Sequence, residues 1–253
     1  MSFVVVIPAR YASTRLPGKP LLDIKGKPMV QWVVEAALQS AAKEAIVATD
    51  DARIAAAVRD PRNPNASIAV LTDPSHPSGT DRIAEVARNR QWTPDTVVVN
   101  VQGDEPQIPP AVIDQVAALL DADPKADLAT LCTPIVAAHE LLDPNVVKVV
   151  MGDDGAALYF SRAPIPWHRE GASGDLMSQR QFGGAQRHLG IYAYRVRSLL
   201  RMTAAPAGKL ELIEKLEQLR ALQLGMRIAV AQACVVPGIG VDTAADLERA
   251  RSS

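Results

Sequence analysis

Five residues near the start of the chain have the chemistry to hold a polyphosphate. The segment Ile7–Pro20, IPARYASTRLPGKP, places Arg10, Ser13, Thr14, Arg15 and Lys19 within ten positions, with Gly18 available for a turn. Arginine offers a planar fork of donors to phosphate oxygens, and lysine a compact charge. Gly18-Lys19 ends like a P-loop, but Ser13 and Pro20 stand where that motif needs glycine and Ser or Thr. No G-x-G-x-x-G follows, so the dinucleotide fingerprint is absent as well. A solvated basic loop accounts for the same composition.

Two further segments offer carboxylates. VNVQGDEP (Val99–Pro106) ends a hydrophobic run in Gln102, Gly103, Asp104 and Glu105. Mg²⁺ favours one or two carboxylates together with water and substrate phosphates, and Asp104 at a strand end suits that role. In PGIGVDTAAD, Asp242 is placed to complete such a site, although Asp242-Thr243 also reads as an ordinary helix start. His76, His139, His168 and His188 have no metal-ligand spacing. Glu211 with Lys215, and Glu217 with Arg220, have the spacing of surface ion pairs on a helix. No G-x-S-x-G elbow or Cys/His pairing points to nucleophilic catalysis.

These residues need a scaffold that brings them together. Phe3–Ile7 is an unbroken β-branched run, which predicts a strand buried on both faces. Strands at Ala45–Ala48, Ser67–Leu71 and Thr96–Val101 alternate with helices at Val30–Leu38, Asp51–Val58, Ser78–Ala87 and Pro110–Leu120. Ser78 is the N-cap of the third helix, with Asp81 three positions on. This rhythm predicts an α/β fold with a mostly parallel sheet and helices on both faces. Ligands in such folds bind at the carboxyl edge of the strands, where the basic loop and Asp104 would lie.

After Leu128 the rhythm changes. Strands at Leu128–Val136, Val146–Met151, Ala157–Phe160 and Leu189–Arg195 predict a mixed region with an antiparallel extension or a dimerising arm. Residues 169–187 carry four glycines without a clear period, the pattern of a lid or of a surface excursion. Leu210–Leu224 reads as one helix with an apolar side. Arg227–Ala231 is a late strand and Thr243–Arg251 a closing helix. The 253 residues suit one domain with no dividing linker. Cys132 and Cys234 read as buried free thiols of a reducing compartment.

The chain has a net charge of −1, yet residues 1–28 carry five cations and one acid, a local +4. That balance excludes the broad basic face needed for nucleic acid or anionic lipid. No apolar run approaches the 18 residues of a membrane span, and MSFVVVIPAR is a strand rather than a signal peptide. The expectation is a cytosolic protein.

IPARYASTRLPGKPLLDIKGKPM, HPSGTDRIAEV, VNVQGDEPQI, DPNVVKVV, ALYFSRAPIPW, RHLGIYAYR, KLEQLRAL and PGIGVDTAADLERAR occur in this order. Together they resemble the 3-deoxy-manno-octulosonate (Kdo) cytidylyltransferase family from Val4 to about Arg251. The resemblance implies a Rossmann-like nucleotide-diphospho-sugar transferase fold, a homodimer, Mg²⁺ and a cytoplasmic role in lipopolysaccharide assembly. It implies the reaction of CTP with Kdo to give CMP-Kdo and pyrophosphate. Carried over by motif, Ala9, Arg10 and Lys19 hold the nucleotide and Arg15 the end of the triphosphate. Ser78, Gly79 and Arg82 flank the cytosine, Gln102 bridges nucleotide and sugar, and Asp104 and Asp242 hold Mg²⁺. Arg162, His188, Tyr192, Glu217 and Gln218 line the sugar pocket in a mixed region of about 128–225, with Lys19, Asp104 and Arg15 acting in catalysis.

Cytidylyltransferases for sialic acid or an amino-octulosonate need the same nucleotide site and stay open as alternatives, as does a non-catalytic CTP-binding module. In the transferase reading, the anomeric hydroxyl attacks the α-phosphorus in line. Two anions must then meet, so positioning and charge neutralisation carry the rate.

Overall fold

The computed structural model describes residues 2–12, 16–63, 65, 67–171 and 174–252. The run FVVVI opens strand β1 (Phe3–Ala9). After a short 3₁₀ turn, β2 (Asp23–Ile24) and β3 (Lys27–Pro28) form a small hairpin leading into α1 (Met29–Gln39). β4 (Ala45–Thr49), α2 (Ala52–Ala57), β5 (Ala69–Leu71), α3 (Gly79–Asn89), β6 (Val97–Asn100) and α4 (Pro110–Ala122) complete the alternating half. The expected cap at Ser78 forms, its hydroxyl accepting from the Asp81 N–H at 3.2 Å, and the Asp51 carboxylate caps α2 by accepting from the Arg53 N–H at 2.8 Å.

The second half contains β7 (Leu128–Pro134), α5 (Ala138–Leu142), β8 (Lys148–Met151), β9 (Ala157–Ser161) and β10 (Gln186–Arg195). α6 (Val196–Ala204), α7 (Lys209–Glu214), α8 (Gln218–Gln223), β11 (Ile228–Gln232) and α9 (Ala244–Ser252) follow. One sheet runs in the order β11-β7-β10-β6-β1-β4-β5, with β8 and β9 branching from β10. β1 pairs in parallel with β4 and β6, whereas β10 is antiparallel to β6, β7 and β8. The mixed, mostly parallel α/β fold is therefore present, with the antiparallel part in the second half.

Successive side chains of β1 face opposite layers. Phe3, Val5 and Ile7 pack with Val30 and Val33 of α1 and Val112 and Ile113 of α4. Val4 and Val6 pack with Ile83 and Val86 of α3 and Leu199 of α6. Burial on both faces is why the strand reads as an unbroken apolar run. The chain leaves β1 toward β4 on one side and returns to β6 on the other, so the strand order reverses beside β1. The carboxyl ends of β1 and β6 flank this crevice, where open α/β sheets bind ligands.

Three expectations are corrected. Leu210–Leu224 is not one helix: Lys215 adopts φ 56°, and the chain turns there between α7 and α8. The predicted apolar side is consequently split, since Leu216 and Leu219 are buried while Ile213 is 76% exposed. The surface pairs also differ. Glu211 is buried and paired with Arg220 at 2.5 Å rather than with Lys215, and Glu217 accepts from the Thr80 hydroxyl rather than pairing with Arg220. Buried polar partners outweigh the helix propensity that the spacing measures. Finally, Cys132 is buried but Cys234 is exposed, and both are free.

Candidate functional site

The carboxyl ends of β1 and β6 open onto a cavity of about 400 Å³. Ala9 and Arg10 arrive from the end of β1, Lys19 from the 3₁₀ turn, and Ser78, Gly79 and Arg82 from the start of α3. Gln102 and Asp104 follow β6, and Asp242 precedes α9. Every proposed nucleotide and metal residue thus lines one cavity, except Arg15, which with Ser13 and Thr14 lies outside the described residues. Gly18 has φ 65°, a left-handed conformation that glycine adopts without strain, and this turn sends Lys19 inward.

Lys19 stands between the two carboxylates. Its ammonium donates to Asp104 Oδ2 at 2.6 Å and to Asp242 Oδ1 at 2.9 Å. Burial works against the charged lysine, but the attraction and hydrogen bond of Asp104, then those of Asp242, outweigh it and hold Lys19 above its ordinary pKa. Asp242 is placed by the Val241 N–H, which donates to the Asp104 carbonyl at 2.9 Å. Two carboxylates converging on a cation suit Mg²⁺ shared with substrate phosphates. The described residues contain no cluster of three or more His, Cys, Asp or Glu for a cage made by the protein alone.

Close backbone packing builds this edge. A methyl group on Gly103 would lie 3.1 Å from the Pro8 carbonyl oxygen, so Asp104 follows a turn pressed against the end of β1. Arg82 is buried, donating to Asp50 at 2.8 Å and to Thr72 beneath the cavity floor. Its fixed guanidinium supports the wall beside Ser78.

A second cavity of about 370 Å³ shares Gln102 and Asp242 with the first. His188, Tyr192, Glu217 and Gln218, four of the proposed sugar residues, line it. The Tyr192 hydroxyl and Gln218 Nε2 are buried without a hydrogen-bond partner, an arrangement that costs free energy unless a ligand supplies one. The His188 ring packs between Phe160 and Tyr192, and dehydration pushes its pKa down to about 3, so it stays neutral. Burial raises Tyr192 well above its ordinary value, leaving a hydroxyl that can donate.

Arg162 does not line this cavity. Its Nε donates to the Glu214 carbonyl at 2.7 Å and its Nη1 to the Pro144 carbonyl at 2.8 Å, while Glu214 accepts from the Arg162 N–H and the Ser161 hydroxyl. It braces the wall instead. Lys148 lies behind it with no exposed surface, donating to the carbonyls of Asp143 at 2.9 Å and Arg162 at 2.6 Å. Sequence reasoning missed Lys148; a lone lysine inside NVVKVV was the available signal. It also missed Asn100, Thr80, Arg187 and Lys215 in the second cavity.

Glu105 lines a third, smaller cavity beside the second. Burial, then the neighbouring charge of Asp104, pushes its carboxyl up to about 7. In the arm 169–187, where 172 and 173 lie outside the described residues, Phe182 and Ala185 pack with Ile135 and Leu141. Of its described residues only Arg187 lines the second cavity.

Residues 4–228 match a family described as cytidylyltransferase. The chain is 56% identical to 3-deoxy-manno-octulosonate cytidylyltransferase of Cellvibrio japonicus, covering 100% of this chain and 98% of the relative. It is 55% identical to the protein of the same name from Aeromonas hydrophila, with the same two coverages. Among solved structures, CMP:2-keto-3-deoxy-manno-octonic acid synthetase complexed with CTP superposes with a TM-score of 0.86 at 43% identity. The match covers 100% of this chain and 98% of that one. A 2-C-methyl-D-erythritol 4-phosphate cytidylyltransferase from Thermus thermophilus shares the fold, with a TM-score of 0.59 at 16% identity.

Proposed function

The chain belongs to the cytidylyltransferase family, and from that premise we propose that it transfers the cytidylyl group of CTP to Kdo, giving CMP-Kdo and pyrophosphate. The observation that carries this reading is the sharing of Gln102 and Asp242 by two cavities. One is edged by cations from the β1 loop and suits a triphosphate; the other presents unpaired polar groups suited to a polyhydroxylated acid.

In this reading Ala9, Arg10, Ser78, Gly79 and Arg82 hold or shape the nucleotide site, and Arg15 and Lys19 meet its phosphates. Gln102 stands between the two substrates. His188, Tyr192, Glu217 and Gln218 orient the sugar, with Arg162 bracing their wall, so that the anomeric hydroxyl faces the α-phosphorus in line. The P–O bond to pyrophosphate breaks as the bond to the sugar oxygen forms, the hydroxyl proton passes to water, and no covalent enzyme intermediate is needed. Lys19 turns from its carboxylates toward the charge growing on the phosphates, where a preplaced cation stabilises the transition state. Asp104 and Asp242 would hold Mg²⁺, which when bound neutralises phosphate charge.

We further propose a single-domain protein acting as a homodimer in the cytoplasm, where CTP is available. Exposed Leu158 on β9 and Leu212 and Ile213 on α7 support a dimer face, with exposures of 64%, 54% and 76%. No helix among the described residues is long and apolar enough to cross a membrane. Sedimentation at micromolar concentration should show twice the chain mass; a monomer would remove the dimer.

The deciding experiment measures pyrophosphate release across a panel of nucleoside triphosphates and acid sugars. CTP with Kdo should give the highest kcat/KM. Preference for another triphosphate, or for sialic acid or an amino-octulosonate, would overturn the assignment, and CTP binding without turnover would leave a binding module.

A further inference from the structure

Lys215 is the residue that breaks the expected helix, and its conformation is costly. Helices commonly close on a left-handed residue, but that residue is usually glycine or asparagine, because other side chains crowd the backbone there. Lys215 occupies this position with φ 56°. Lys215 is exposed and is one of the residues lining the second cavity with Tyr192, Glu217 and Gln218. Strained residues of this kind gather where a side chain must be aimed at a ligand.

The surrounding chemistry identifies what the side chain meets. The Gln218 amide nitrogen and the Tyr192 hydroxyl are both buried and unpartnered in the same cavity. The Lys215 ammonium has no ion pair or hydrogen bond among the described residues. Arg162 is turned away, with donors on the carbonyls of Glu214 and Pro144. Arg187, the other cation lining the cavity, also borders the cavity of Glu105 and lies within its electrostatic reach. The Tyr192 hydroxyl and Gln218 Nε2 therefore lack an acceptor in this cavity, and Lys215, which is exposed, adds a cation to a lining that also carries the carboxylates of Glu217 and Asp242.

We propose that Lys215 binds the carboxylate of the sugar substrate and sets the preference for acid sugars over neutral ones. The inference rests on the acid-sugar transferase reading and adds to it the residue that recognises the acid. The left-handed turn has a direct consequence for this role. It lets α7 keep Glu214 against Ser161 and Arg162 while α8 presents Gln218 to the cavity, with Lys215 at the turn between them.

The test separates backbone from charge. Lys215→Gly and Lys215→Asn favour the left-handed conformation and delete the ammonium, whereas Lys215→Arg keeps a cation. Binding of Kdo and of its uncharged C1 amide is measured by calorimetry with a non-hydrolysable CTP analogue present, alongside KM for CTP and for Kdo. The wild type should favour the acid over the amide by tenfold or more. Lys215→Gly and Lys215→Asn should weaken Kdo at least tenfold, leave amide binding and the KM for CTP within twofold, and abolish the preference. Lys215→Arg should retain most of it. Unchanged Kdo binding in the Gly and Asn variants, or equal loss of acid and amide, would overturn the proposal. A wild type that prefers another acid sugar overturns the Kdo assignment alone, and the same variants then test Lys215 with that sugar and its amide. A wild type that binds no acid sugar overturns both.

Discussion

The Thr80 hydroxyl donates to Glu217 Oε2 across 2.6 Å, joining residues 137 positions apart. Thr80 lies in the first turn of α3, next to Gly79 in the nucleotide cavity, and Glu217 immediately precedes α8 in the second cavity. Thr80 also lines the second cavity, so this hydrogen bond joins two of that cavity's lining residues directly beside Gly79 of the nucleotide cavity. Thr80→Val leaves a partly buried carboxylate without its donor, a loss of roughly 1–3 kcal/mol. Kinetics on this variant should show kcat/KM for the acid sugar falling by roughly 5- to 150-fold with a smaller change in the KM for CTP; equal effects on both substrates would mean a general disturbance.

Asp104→Asn removes the nearer carboxylate from Lys19 and one of the two acids suited to Mg²⁺. The variant should keep its circular dichroism spectrum while kcat drops by roughly 10²- to 10³-fold, the scale expected when a group stabilising transition-state charge is lost. Turnover near the wild-type rate would remove Asp104 from the metal assignment.

Gly103→Ala tests the close packing of β1 against the turn after β6. The added methyl would meet the Pro8 carbonyl oxygen at 3.1 Å, so one segment must yield by a few tenths of an ångström. Because small misplacements at a reacting centre carry large rate penalties, kcat should fall about tenfold or more while the chain stays folded. A crystal structure of the variant should show Asp104 displaced; an unmoved Asp104 with full activity would refute the positioning argument.

His188 predicts a pH dependence of stability. Its folded-state pKa of about 3 lies below the ordinary 6.5, so the unfolded chain takes up the proton first. The contribution is complete above pH 6.5 and is lost as pH falls toward 3, with a limiting slope of about 1.4 kcal/mol per pH unit. Urea unfolding of the wild type and His188→Gln between pH 7 and 4 should show the wild type losing more stability, and parallel curves would contradict the burial argument.

Much of the scaffold was legible because its strands are buried on both faces. Phe3–Ile7 and Ala45–Ala48 could read as little else, and Ser78 and Asp51 marked helix starts through local capping chemistry. Patterns complete within about ten residues are set by backbone geometry, so the sequence carries them directly. The gathering of Arg10, Lys19 and Asp104 at one edge followed from the same rhythm, because parallel strands place their carboxyl ends together.

What the sequence by itself determined is therefore the α/β order, the strand ends that carry the loops, and the residue types that can hold phosphate and a divalent ion. Tertiary structure decided the partners. Lys19 meets Asp104 and Asp242 from positions 85 and 223 residues away, Glu211 meets Arg220, and Lys148 is drawn fully inside to bind two carbonyls. Local spacing assigned Glu211 and Glu217 to helix neighbours and extended one helix through Lys215. Buried polar groups bind whichever partner the packed fold supplies, and the cost of leaving one unpaired exceeds the few tenths of a kcal/mol that helical spacing contributes.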